Sequence, residues 1–104
     1  MDEITRIEQD IVIALKQVFD PEIPVNVYDL GLIYKIEVNA AYDVDVDMTL
    51  TAPNCPMADD LIDDVKNAVK GISGVRSVGI NLVFDPPWSR DMLSDEAKLD
   101  LGLL

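Results

Sequence analysis

Asp43-Val44-Asp45-Val46-Asp47-Met48-Thr49-Leu50 alternates without a break, with apolar side chains at every second position and aspartate or threonine between them. That period of two is an extended strand with one wet face and one face toward a core. Upstream, Leu32, Tyr34, Ile36 and Val38 alternate with Ile33, Lys35 and Glu37, starting from Gly31. Asn39 to Tyr42 make the turn between the two runs, so they read as an antiparallel hairpin. Downstream, Pro53 and Asn54 end the strand and Pro56 opens a helix over about Met57 to Lys70, with Leu61, Ile62, Val65, Ala68 and Val69 at helical spacing. Gly71 and Gly74 mark the exit of this helix. A third strand, Val75 to Phe84, puts Val78, Ile80, Leu82 and Phe84 on one face. A strand-helix-strand unit from 43 to 84 calls for a right-handed parallel crossover, which makes the sheet mixed.

The flanks complete the architecture. Residues 4 to 19 place Ile4, Ile7, Ile11, Leu15, Val18 and Phe19 on one helical face, with Asp2 or the Thr5–Glu8 pair as alternative starts. Asp20-Pro21 ends that helix. Asp20 to Asp29 form an ordered loop that can bury Ile23, Val25, Val27 and Tyr28. After Phe84 a rigid Pro86-Pro87 leads to short helical turns capped by Ser89 and Ser94 and stopped at Gly102. The expected fold is α+β: an αββαβ two-layer sandwich, a small mixed sheet with the helices on one face and a short helical C-terminal tail, as one domain over residues 1–104. Periodicity does not fix which strand is central.

Composition narrows the chemistry. With 20 acidic and 8 basic residues the net charge is −12, which argues against nucleic acid or an anionic membrane as partner. No apolar run approaches the ~20 residues of a membrane helix and no leader pattern opens the chain, so a soluble cytoplasmic protein is expected. There is no histidine, which removes the usual base at neutral pH and any Cys-His or Ser-His-Asp machinery. A non-enzymatic role is expected.

The single cysteine, Cys55, stands just before the second helix, where unpaired N–H groups and the helix dipole favour a thiolate. Asp59, Asp60, Asp63 and Asp64 oppose that ionisation, and a buried inert thiol is the plain alternative. Asp43, Asp45 and Asp47 begin like a calcium loop, but Met48 stands where the turn needs glycine and Asn54 where a bidentate glutamate belongs. They read as a solvated strand face that discourages edge-to-edge pairing. Asp20, Glu22 and Asp29 read as turn chemistry or a weak carboxylate cluster, and Trp88 as a tail anchor beside a functional surface.

Four segments together resemble a known family: Asp20-Pro21-Glu22-Ile23-Pro24, Tyr28 to Tyr34 (YDLGLIY), Met48 to Pro56 (MTLTAPNCP) and Asp85 to Ser94 (DPPWSRDMLS). In this order they are similar to the metal-sulfur cluster biosynthesis family of SufT-like, PaaD-like and MIP-type iron-sulfur assembly proteins. The resemblance implies the same αββαβ fold, a role in maturing iron-sulfur proteins as adaptor or transient carrier, and Cys55 as the functional thiol. It further implies that Asp20, Glu22, Asp29, Thr51, Asn54, Pro56, Asp85 and Trp88 line or support the surroundings of that thiol. Expected partners are the assembly machinery and client apoproteins, with a homodimer left open. One thiolate cannot hold a cluster that usually takes four cysteine ligands, so a transient iron-sulfur cluster at Cys55 would need ligands from another molecule. An interaction module with a buried cysteine and no cluster contact is the alternative function.

Overall fold

A computed structural model of the chain describes residues 2–20, 23–51 and 58–102. Helix α1, Glu3–Leu15, starts at Asp2, whose carboxylate accepts the Thr5 N–H at 2.7 Å. The aspartate cap is therefore the start that is used, since it satisfies a first-turn N–H directly. Ile7, Ile11 and Leu15 form the buried stripe of α1. The helix stops at Leu15 and does not continue to Phe19 as the periodicity suggests. The reason is a competing backbone pairing: Val27 N–H donates to the Val18 carbonyl at 2.8 Å and Asp20 N–H to the Val25 carbonyl at 3.1 Å. This pairing satisfies loop backbone groups that a longer helix would strand. It buries Val18, Val25 and Val27 and turns Phe19 outward, 57% exposed.

The sheet contains β1 (Ile33–Val38), β2 (Asp43–Met48) and β3 (Ser77–Leu82), in the order β1-β2-β3. β1 and β2 are antiparallel, and β2 and β3 run parallel in unbroken register from Asp43↔Ser77 to Met48↔Leu82. Between them α2, Ala58–Lys70, makes the crossover. It begins with Asp59 and Asp60 and ends with Lys70, charges that suit the two poles of its dipole. α1 packs on β1 and on α2, and α2 packs on β3. Val44, Val46 and Met48 of the central strand are buried with Ile7, Ile11 and Leu15 of α1 and Leu61, Val65 and Val69 of α2 in one core. This is the expected α+β sandwich, and β2 is its middle strand. The acidic triplet consequently guards no edge, contrary to its reading above, because both edges of β2 are already paired.

β3 is shorter than the alternation suggests. Leu82 and Phe84 are 39% and 46% exposed, because the chain turns away after β3 to cross the end of the sheet. The remaining chain forms a 3-10 turn, Arg90–Met92, and helix α3, Asp95–Asp100, whose Ser94 cap accepts the Ala97 N–H.

Asp43 joins β2 to β3 on the open face. Its carboxylate accepts from Arg76 Nε and Nη2, both at 2.8 Å, and from Ser77 Oγ at 2.6 Å. These bonds, led by Arg76, hold its pKa well below the ordinary carboxylate range. A depressed folded pKa means that the unfolded chain takes up the proton first. The contribution is therefore present above the ordinary carboxylate pKa of about 4 and is lost as pH falls below it. Asp43→Asn is expected to be less stable than wild type at pH 7, with the gap closing toward pH 3, as read from urea midpoints at the two pH values.

Candidate functional site

The carboxyl ends of the parallel pair β2 and β3 open on the same side of the sheet, where α/β folds commonly place ligands. The chain beyond β2 supplies Thr49, Leu50 and Thr51, and the chain beyond β3 supplies Phe84, Pro87 and Trp88. Together these six residues line a cavity of about 120 Å³. Val83 N–H donates to the Met48 carbonyl at 2.8 Å and Thr49 N–H to the Leu32 carbonyl at 2.8 Å, so both segments are tied to the sheet as they leave it.

The tail then docks on the loop before β1. The Trp88 indole N–H donates to the Leu30 carbonyl at 2.7 Å. Tyr34 OH donates to the Pro86 carbonyl at 2.7 Å, and Ser94 N–H donates to the Asp29 carbonyl at 2.8 Å. Gly31 makes the close approach that this docking requires. It has φ +80°, and a Cβ there would run into the Met92 carbonyl oxygen and lie 2.9 Å from the Met92 Cβ. Trp88 also faces a second, larger cavity of about 230 Å³ with Ile23, Arg90, Leu93 and Leu101. One indole thus forms a wall of both cavities.

Of the residues expected at the site, Thr51 and Trp88 share the first cavity. Asp29 serves the turn: its N–H donates to Asn26 Oδ1 and its carboxylate accepts from Asn26 Nδ2, both at 2.8 Å. Asp20 is buried at 6% exposure beside the Val25 pairing, and Asp85 is exposed; neither lines the cavity. Glu22, Asn54, Cys55 and Pro56 lie outside the described residues. Among the described residues no group of three or more His, Cys, Asp or Glu is placed to hold a metal ion, and no helix is long and apolar enough to cross a membrane. The chain carries one cysteine and no histidine, so its own donors do not complete a cluster site.

Thr49 belongs to the cavity although its place in the alternation reads as part of the wet face. It is fully buried, and its Oγ1 has no hydrogen-bond partner among the described residues. The available signal was that it is the one uncharged residue in the polar register of Asp43, Asp45 and Asp47. A buried hydroxyl without a partner costs about 1–3 kcal/mol. Thr49→Val, which keeps the shape and removes the hydroxyl, is expected to raise stability by about 1 kcal/mol in urea unfolding. A loss of stability instead would show that the hydroxyl is satisfied.

A family model described as iron-sulfur cluster assembly protein matches residues 8–82. The chain is 56% identical to an Fe-S protein maturation auxiliary factor of Porphyromonas gingivalis, over 99% of this chain and 98% of that one. It is 42% identical to the Fe-S protein maturation auxiliary factor SufT of Staphylococcus aureus, over 83% of this chain and 98% of the relative. A crystal structure of a domain of unknown function from Bacillus anthracis superposes with a TM-score of 0.89 at 33% identity, covering 96% of this chain and 95% of that one. The chain belongs to the iron-sulfur cluster assembly protein family.

Proposed function

We propose that this protein is a maturation factor for iron-sulfur proteins that works in the cytoplasm as an adaptor or transient carrier. In this reading Cys55 offers one thiolate to a cluster in transit, and the assembly machinery or the client apoprotein provides the other ligands. The cluster is cargo, handed on, and the chain makes or breaks no bond in the client beyond that ligand exchange. A thiolate with three missing co-ligands suits handover: an incomplete coordination shell binds weakly enough to release.

The observation that supports this most is the meeting of three separated segments. MTLT through Thr51 and DPPW through Trp88 line one cavity, and YDLG joins them through the Leu30 carbonyl that the Trp88 indole bonds. In sequence, Thr51 and Ala58 bracket the six residues that include Cys55. Both named maturation factors above span most of this chain, which supports the same role for the whole domain.

Cys55→Ser tests the thiol. The variant is expected to keep the wild-type urea midpoint while cells carrying it lose most of the activity of a client iron-sulfur enzyme, roughly tenfold or more for removal of an essential ligand. Client activity equal to wild type would remove Cys55 from the mechanism.

A further inference from the structure

The two edges of the sheet are not alike. β1 carries Lys35 and Glu37, its register is irregular between Ile33 and Lys35, and the tail reaches it through Tyr34 and Pro86. Charges, irregularities and covering segments are the usual means of blunting an edge. β3 has none of these: Ser77-Val78-Gly79-Ile80-Asn81-Leu82 holds no charge and no proline and keeps regular register throughout. Among the described residues no element pairs with its outer side.

Val83 N–H donates inward to the Met48 carbonyl at 2.8 Å, and with the Met48↔Leu82 register this sets the phase of the ladder. By the alternation of a parallel pair, Val78, Ile80 and Leu82 direct their backbone groups away from β2. A strand added there would place alternate side chains on opposite faces. Those beside Val78 and Ile80 would extend the apolar layer, and those beside Ser77, Gly79 and Asn81 would lie on the open face. One strand inward on that face stand Asp43, Asp45 and Asp47, in register with those three residues. Asp43 is engaged by Arg76 and Ser77, and Asp47 accepts from Asn81 at 3.0 Å. Asp45 is exposed and has no hydrogen bond or ion pair among the described residues. Its Oδ1 lies 2.8 Å from where a Gly79 Cβ would be, so its carboxylate reaches over the bare Gly79 backbone toward the edge.

We propose that the β3 edge is a docking strand for an extended segment of a partner protein in which basic and apolar residues alternate, with a basic side chain opposite Gly79. The net charge of −12 favours such a segment. A second copy joined at the same edge would put an uncharged β3 segment opposite Gly79 and bring two strongly acidic chains together, which disfavours it. Pairing through main-chain bonds with alternate side chains giving specificity is a general mode of peptide recognition. The proposal goes beyond the thiol reading and does not depend on Cys55.

The test is a titration of the 15N-labelled full chain with an amidated eight-residue peptide alternating lysine and valine, followed by amide NMR. Three comparisons accompany it: the same composition in two blocks, the alternating peptide N-methylated at its pairing amides, and Asp45→Asn protein. Saturable shifts centred on Val78, Ile80 and Leu82, absent with the block and N-methylated peptides and weakened about threefold by Asp45→Asn, are expected. Equal binding of all three peptides, or shifts centred on β1 or on the acidic face of α2, would overturn the proposal. So would self-association of the free chain through β3, seen as concentration-dependent mass with the same amides shifting. Because the readout is the peptide and not client activity, failure here is distinguishable from failure of the Cys55 reading.

Discussion

Gly31→Ala is expected to detach the C-terminal tail from the body of the protein while leaving the sheet and α1 folded. Two costs coincide at this residue. An alanine at φ +80° pays about 1–2 kcal/mol for left-handed backbone. Its Cβ also overlaps the Met92 carbonyl, and overpacking against backbone costs about 1–3 kcal/mol more because backbone cannot rotate away as a side chain can. The docking bonds of Trp88 to Leu30 and Ser94 to Asp29 are too few to absorb both. Total stability should fall by about 2–5 kcal/mol, and the fluorescence of Trp88, the only tryptophan, should shift to the red at concentrations of denaturant where far-ultraviolet circular dichroism is unchanged. Coincident loss of both signals would mean that the tail and the sheet unfold as one unit.

Trp88→Ala should have the second-largest effect. The indole is half-buried, donates to the Leu30 carbonyl, and separates the cavities of about 120 and about 230 Å³. Removing it loses the apolar contact, leaves a larger void and strands a carbonyl, so about 2–4 kcal/mol is expected, below the full-burial range of 3–5 because one side of the ring is wet. Trp88→Phe keeps most of the ring and loses only the N–H, and should cost about 1 kcal/mol. The ratio between the two variants, measured by urea unfolding, separates packing from hydrogen bonding. Equal losses would assign the anchor to the Leu30 bond alone.

Much of this architecture is legible in local patterns, because the Asp43–Leu50 alternation and the Leu61, Val65, Val69 stripe each bury one face of one element. Element order then makes the hairpin and the parallel crossover nearly unavoidable. What local patterns could not supply were outcomes set by competition between distant segments. Helix α1 ends early because Val18 and Asp20 find partners across the loop, which helical periodicity cannot register. β2 is central because β3 pairs with its free side, and only then does the acidic triplet become an open face and not an edge guard. At the candidate site the segments were recognisable as motifs, but their meeting was not. Trp88 is 58 residues from Leu30, and nothing in either stretch encodes the bond that joins them. Threonine in a strand is ordinary, and the burial of Thr49 arises from the tail that crosses above it. Asp20 and Asp29, by contrast, do what aspartates in a proline-rich loop do by default, lying beside or capping turns.

On the proposed function, Cys55 supplies one ligand of a coordination shell that another molecule completes. Anaerobic incubation of the full chain with iron, sulfide and a small thiol, followed by visible absorbance and native mass measurement, tests it directly. Wild type is predicted to acquire a weakly held cluster whose mass includes the added thiol or a second protein chain, and Cys55→Ala to acquire none. An equal cluster content in both proteins, or a cluster on wild type with no outside ligand in its mass, would contradict the account.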